Sequence, residues 1–155
     1  MKIRVAWIGK TKEPAIQTLT EEYLKRIGHY AQVEGIPLKD EAALRKLCGS
    51  ERISQLAVLL ASQGREFHSQ AFAEFIEQQQ IRSSLPLLFA VGPASGFSEA
   101  TLGCANMLLS LGKMTYAHEI ARIVLLEQIY RAFTIIKRHP YHLGHWSRVA
   151  WSVPS

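Results

Sequence analysis

Cysteine is scarce in this sequence: Cys48 and Cys104 are the two present, far apart and without a CxxC pair. A disulfide framework is therefore excluded as the source of stability, and free thiols suit a cytosolic protein. The histidines are scattered and no HExxH pair occurs, so no metal is expected. Neither a GxGxxG at a strand-to-helix junction nor a P-loop motif is present, which leaves dinucleotide and nucleoside-triphosphate sites without support. No apolar run approaches membrane-spanning length, and the opening MKIRVAWIG is too short for a signal-peptide core; it reads as a strand. Repeats and low-complexity tracts are missing as well. Negative charge is the last shortage. Asp and Glu number 13 against 18 Lys and Arg, a formal charge of +5 with a pI near 9.4. That balance suits an anionic partner such as RNA.

What is present is the composition of a folded domain. With 155 residues, 48% hydrophobic and 20% charged, the chain can bury one real core but not comfortably two. Lys2 to Ile8 is a β-branched, apolar strand ending at Gly9. Pro14 sits where a first helical turn tolerates it, and Ile16, Leu19, Tyr23, Leu24 and Ile27 give an amphipathic helix toward Tyr30. Val33 to Leu38 reads as a short strand, and Asp40 caps a helix through Leu47. Gln55 to Ala61 is a buried strand, Ser69 to Gln80 a helix, and Leu85 to Val91 another buried strand. A helix from Glu99 to Ala105 and a short strand from Met107 to Leu109 follow. Strands alternating with helices predict an α/β domain with a mainly parallel sheet. Three loops then follow strand carboxyl ends: Ala61 to Arg65, Gly92 to Ser98, and Ser110 to Thr115. In open α/β sheets ligands bind at that edge. Gly92, Gly96 and Gly112 let a backbone approach a ligand, although taken alone they read more readily as turn residues.

From near Tyr116 a helical pattern of roughly twenty residues begins. Ala121, Leu125, Ile129, Ala132, Phe133 and Ile136 recur at three- and four-residue spacing, and Ile120, Ile123, Val124 and Leu126 widen the arc. A helix this apolar must be covered on two sides, by its own sheet and by another subunit. Pro140 is its stop signal. Glu127 and Arg131 share a face, and a local ion pair is the simpler account of them. His118 and Arg122 lie near the helix start on a different face. A cation there gains nothing from the helix dipole, so Arg122 suggests an anionic ligand such as a phosphate or a carboxylate. Arg138, His139, Tyr141 and His142 combine cations with an aromatic face, as RNA contacts need; a solvated helix end complementing the dipole accounts for them equally well.

The run LSLGKMTYAHEIARIVLLEQIYRAFTIIKRHPYH, Leu109 to His142, resembles the C-terminal signature of the RlmH family. These are small SPOUT-class methyltransferases that modify N3 of a pseudouridine in bacterial large-subunit (23S) ribosomal RNA. The likeness is long, nearly ungapped and rich in polar residues that no packing rule requires. It is densest from Leu85 to His142. It implies a SPOUT-type α/β knot, with a mainly parallel sheet and a C-terminal deep trefoil knot in one domain over 1–142. Residues 143–155 are an extension atypical for the family. The resemblance implies S-adenosylmethionine as cofactor, touching Leu60, Gly92, Leu111, Gly112, Lys113, Met114, Thr115 and Tyr116. Leu60 and Met114 would be apolar walls, and packing in the core describes them as well.

The same resemblance implies a catalytic group of His142, Arg122, Arg131 and Tyr141. His142 would take the N3 proton, Arg122 or Arg131 would stabilise the resulting anion, and the Tyr141–His142 pair would close the site. The partners it implies are a second copy, completing each site in a homodimer, and ribosomal RNA on assembled ribosomes in the cytoplasm. No membrane and no metal are implied. The chain departs from the family at Pro93, where a second glycine usually follows Gly92. Ala61 stands where an acidic residue is common, and Ala117 replaces the proline usual before His118. These departures keep two alternatives open: a non-catalytic SPOUT-like module that binds ribosomal RNA, and a methyltransferase with another RNA target.

Overall fold

A computed structural model describes residues 1–49 and 54–142 of the chain; the 143–155 extension lies outside the described residues. Strand β1 (Lys2–Ile8) leads into helix α1 (Pro14–Ile27), then β2 (Gln32–Leu38) and α2 (Glu41–Cys48). Next come β3 (Leu56–Arg65), α3 (Ser69–Arg82), β4 (Leu87–Val91) and the short α4 (Glu99–Leu102). Strand β5 (Met107–Leu109), helix α5 (His118–Ile136) and a 3-10 turn (Pro140–His142) complete the order. The five strands form one sheet in the order β2-β1-β4-β3-β5, and every pair is parallel. The α/β class with a parallel sheet therefore holds.

The period-two alternation of the strands sorts the core into two layers. Ile3, Val5, Trp7, Val58, Leu87, Phe89 and Val91 face one side, where Leu125, Leu126, Ile129, Ala132 and Phe133 of α5 pack on them. Ala6, Ile8, Ala57, Leu59, Leu88 and Ala90 face the other, with Leu44 of α2. Buried on both faces, β4 reads as the unbroken apolar run LLFAV. Helices α1 and α3 flank α5 on the first layer. Sheet and flanking helices thus account for most of the apolar arc on α5, while Ile120 stays 45% exposed.

Several boundaries differ from those the sequence suggests. Strand β3 does not end at Ala61; it runs to Arg65, so the first expected loop is an irregular part of the strand. Leu60 and Arg65 both pair with Leu109, and the Ser110 N–H donates to the Arg65 carbonyl at 2.9 Å. Ser62, Gln63 and Gly64 look like turn residues, yet the backbone of β5 supplies their strand context from far along the chain. Helix α5 starts at His118 rather than near Tyr116, and it ends at Ile136, before Pro140 is reached. Its stop is a Schellman motif: the His139 N–H donates to the Thr134 carbonyl at 2.8 Å and the Arg138 N–H to Ile135 at 3.1 Å. Arg138 holds the left-handed conformation that motif demands, at φ 58°. Helix α4 closes early, at Gly103.

The crossing of β3 over β5 is very close. A Cβ on Gly64 would lie 2.6 Å from the Leu108 carbonyl carbon and 2.7 Å from that of Leu109. Backbone cannot swing aside as a side chain can. Gly64→Ala is therefore predicted to lower unfolding free energy by about 2 kcal/mol or more. Gly103→Ala, whose Cβ meets nothing nearer than 3.5 Å, should stay within about 0.5 kcal/mol of the parent. Urea denaturation of both variants checks the contrast.

Candidate active site

At the carboxyl ends of β3, β4 and β5 lies a cavity of about 300 Å³. Its first wall is the turn after β4. The Gly96 N–H donates to the Pro93 carbonyl at 2.8 Å, and Gly96 has φ +82°. Gly92 is buried under the Phe97 ring, whose carbons would lie 3.2 Å from any added Cβ. The far end of this turn is pinned by α2: the Ser98 N–H and Oγ–H both reach Glu41 Oε1, at 2.8 and 3.0 Å. Hydrogen bonds from Thr101 and from Ser98 hold the Glu41 carboxyl below the usual carboxylate range.

The second wall is the segment between β5 and α5. Ser110 Oγ accepts from the Gly112 N–H at 3.2 Å and donates to the Gly112 carbonyl at 3.1 Å. Gly112 sits at φ +120°, a region that L side chains avoid. All eight residues expected around a cofactor line this one cavity: Leu60, Gly92 and the run Leu111 to Tyr116. Ser110, His118 and Ala121 join them. The sequence offered no signal for Ala121, since a small helical residue carries no chemistry of its own. The lining holds Lys113 and the imidazole of His118 and no carboxylate. Met114 is 78% exposed, so in a single chain it forms the rim rather than an inner wall.

Of the expected catalytic residues, Arg122, Arg131 and Tyr141 do not line that cavity. Arg131 and Tyr141 meet each other instead, near the far end of α5. The Arg131 Nε–H donates to Glu127 Oε1 at 2.9 Å, and the Tyr141 hydroxyl donates to the same oxygen at 3.2 Å. The Arg131 guanidinium stands 5.2 Å from the Tyr141 ring centroid, and Tyr130 presents its ring edge-on at 4.7 Å. Burial first, then a hydrogen bond with Tyr23 and the charge of Glu127, push the Tyr141 phenol well above its ordinary value. It stays protonated and acts as a donor. Along α5, Arg131 lies about 20 Å from His118 at roughly 1.5 Å per residue. His142 closes the 3-10 turn, and its side chain lies outside the described residues.

Arg122 occupies a third place. It is 1% exposed, its Nη1 donates to Thr11 Oγ1 at 2.8 Å and Thr20 Oγ1 at 3.3 Å, and its guanidinium lies 4.3 Å from the Trp7 ring centroid. Its buried Nε–H has no partner. Burial pulls its pKa down. Among the described residues no group of His, Cys, Asp and Glu could hold a metal ion, and no helix is long and apolar enough to cross a membrane.

Residues 1–142 match the family described as predicted SPOUT methyltransferase. The chain belongs to the SPOUT methyltransferase family. It is 49% identical over 146 residues to the ribosomal RNA large subunit methyltransferase H of Koribacter versatilis (strain Ellin345), covering 94% of this chain and 100% of that one. The protein of the same name from Enterococcus faecalis (strain ATCC 700802 / V583) is 36% identical over 158 aligned positions, covering 92% and 99%. Among solved structures, a probable methyltransferase from Bordetella pertussis Tohama I shares the fold at a TM-score of 0.59 and 10% identity, covering 84% of this chain and 93% of that one. The SpoU methyltransferase AviRb from Streptomyces viridochromogenes does so at 0.52 and 12%, covering 88% and 60%.

In this SPOUT methyltransferase Ala117 has φ −56°, within the range a proline ring imposes. The backbone before His118 thus keeps a proline-compatible shape without the ring. The Tyr141 cluster carries its own pH signature. Because the fold raises the phenol pKa, the folded state holds its proton more tightly than the unfolded chain does. The stabilisation is complete below about pH 10 and is lost as pH rises through the alkaline range above it. Tyr141→Phe, which has no proton to lose, is predicted to flatten the fall in urea midpoint between about pH 9 and 11 relative to the parent.

Proposed function

We propose that this protein transfers a methyl group from S-adenosylmethionine to N3 of a pseudouridine in large-subunit ribosomal RNA. It works as a homodimer on assembled ribosomes in the cytoplasm. The observation that carries this reading is the near full-length likeness to two proteins named ribosomal RNA large subunit methyltransferase H. The cavity supports it from the chemical side. Loop backbones, the apolar Leu60 and Val91, the cation Lys113 and the hydrogen-bonding imidazole of His118, without any carboxylate, suit a ligand with an adenine edge and a carboxylate. S-adenosylmethionine, when bound, supplies an electrophilic methyl group, so the protein needs to orient the nucleophile and remove a weakly acidic N3 proton. Tyr141, held neutral, donates a hydrogen bond rather than accepting that proton. His142 is the remaining base of the group, and Arg131 beside Tyr141 stabilises the anion.

The separation along α5 supports the homodimer. One chain does not bring Arg131 and Tyr141 to its own cofactor cavity, so a second copy presents that cluster to it. Met114, Tyr116 and Ile120, exposed by 78, 36 and 45%, are the apolar surface such a contact would bury. Each of the two domains, residues 1–142, threads its C-terminal segment into a trefoil knot in this reading, and the tight passage of Gly64 over Leu108 is in keeping with it. Arg138, held in a left-handed conformation that costs a non-glycine residue about 1 kcal/mol, supports a cation kept there for RNA. The 143–155 extension borders that end of the helix in sequence.

The test is transfer of labelled methyl from S-adenosylmethionine to ribosomes lacking the modification, beside naked ribosomal RNA and transfer RNA. Label in large-subunit RNA of ribosomes, recovered after digestion as N3-methylpseudouridine, is the expected result. Label in transfer RNA alone would overturn the substrate. No transfer and no cofactor binding would favour a non-catalytic RNA-binding module.

A further inference from the structure

A second and larger cavity, of about 750 Å³, opens at the carboxyl ends of β1 and β2. Its lining includes Trp7, Lys10, Thr11, Leu24, Leu38 and Lys39. Leu24 and Leu38, with Pro37, make an apolar wall, while Lys10 and Lys39 are exposed cations at its margin. Gly35 lets the Trp7 indole lie flat across β2, since a Cβ there would come within 2.7 Å of the ring. One acid, Glu21, is in the lining, and it accepts a hydrogen bond from Gln17 at 2.8 Å.

Behind this cavity stands Arg122. Its two hydroxyl partners, Thr11 and Thr20, and the indole it stacks on all line the cavity. Among the described residues no carboxylate lies within ion-pair distance of it, and its Nε–H is unpaired. Glu119, three residues earlier on α5, pulls on this charge from beyond ion-pair distance, so the buried guanidinium is offset only in part and the rest of its positive field reaches into the adjoining space. Hydroxyls and an indole ring orient that charge without neutralising it.

The position relative to the first cavity matters. Strand β1 is the neighbour of β4 in the sheet, so the two cavities sit side by side along one edge. The first turns of α5 divide them. His118 and Ala121 line the cofactor cavity, while Glu119 accepts from the Lys12 N–H and Arg122 reaches Thr11 on the other side. We infer that the second cavity is a subsite for a single-stranded nucleotide of the RNA substrate flanking the methylated one. Lys10 and Lys39 hold its phosphodiester, Leu24, Pro37 and Leu38 pack on its base, and Arg122 supplies the field behind it. The inference rests on the reading of the protein as an RNA methyltransferase. It assigns the anion attracted by Arg122 to RNA rather than to the cofactor.

The test is the Lys10→Ala/Lys39→Ala double variant, with Lys46→Ala/Arg82→Ala as a control of equal charge loss on exposed positions elsewhere. The subsite variant is expected to raise KM for undermethylated ribosomes about tenfold and to reduce the salt slope of RNA binding by about one. Its kcat at saturation, its affinity for S-adenosylmethionine and its sedimentation should be unchanged, and the control should match the parent. Unchanged KM and salt slope would overturn the subsite while leaving the methyltransferase reading intact. A shift in the monomer–dimer equilibrium would also overturn it, because a second copy would then occupy the cavity. Should the parent methylate no RNA, the function fails separately, and the subsite is judged by binding of a single-stranded RNA oligonucleotide. Weaker binding by the subsite variant supports it, and equal binding overturns it.

Discussion

The site depends on a crossing of two backbones at the distance that only glycine permits. Gly64 in β3 passes over Leu108 and Leu109 of β5, and Ser110 is hydrogen-bonded to Arg65 at the far side. That crossing fixes where β5 ends. It therefore fixes where Ser110 can grip Gly112 through both its N–H and its carbonyl. The segment from Leu111 to Tyr116 hangs from this anchor and forms one wall of the cavity proposed for the cofactor. The opposite wall, after β4, is pinned independently by Glu41 acting on Ser98. Two loops far apart in sequence thus face each other because each is tied at its base, not because either is rigid by itself.

Helix α5 then does two jobs with one element. Its apolar arc is consumed by the sheet, α1 and α3, and its first turns separate two cavities along the sheet edge. Its last turns carry the Glu127–Arg131–Tyr141 cluster. Because a helix holds its side chains at fixed intervals, the cluster cannot fold back to the proposed cofactor cavity of its own chain. A second copy of the chain, as proposed above, would resolve that geometry and would cover the apolar residues left exposed between β5 and the helix.

Much of this was legible in the sequence. Strand β5 has the bounds its apolar run suggested, and the eight residues inferred from the resemblance line a single cavity at the strand edge where α/β sheets bind ligands. What escaped the sequence was non-local. Ser62-Gln63-Gly64 has the composition of a turn, and only the backbone of β5, distant in the chain, keeps it in a strand. Arg122 could be placed near a helix start by periodicity, but its enclosure by Thr11, Thr20 and Trp7 depends on α1 and β1 closing over it. The second cavity had no sequence signature, since its lining comes from β1, α1, β2 and the segments after both strands with no shared motif.

The central claim is that each active site is built from two chains, and subunit complementation tests it most directly. Gly112→Val would spoil the cofactor wall and Arg131→Ala the distal cluster, so each homodimer should be inactive. Co-refolding the two variants makes heterodimers in which one site draws an intact wall from one chain and an intact cluster from the other. The account predicts recovery of methyl transfer to about a quarter of the parent level, from random pairing into a two-fold dimer. No activity above that of the separate variants would mean that wall and cluster serve the same chain, and would contradict it.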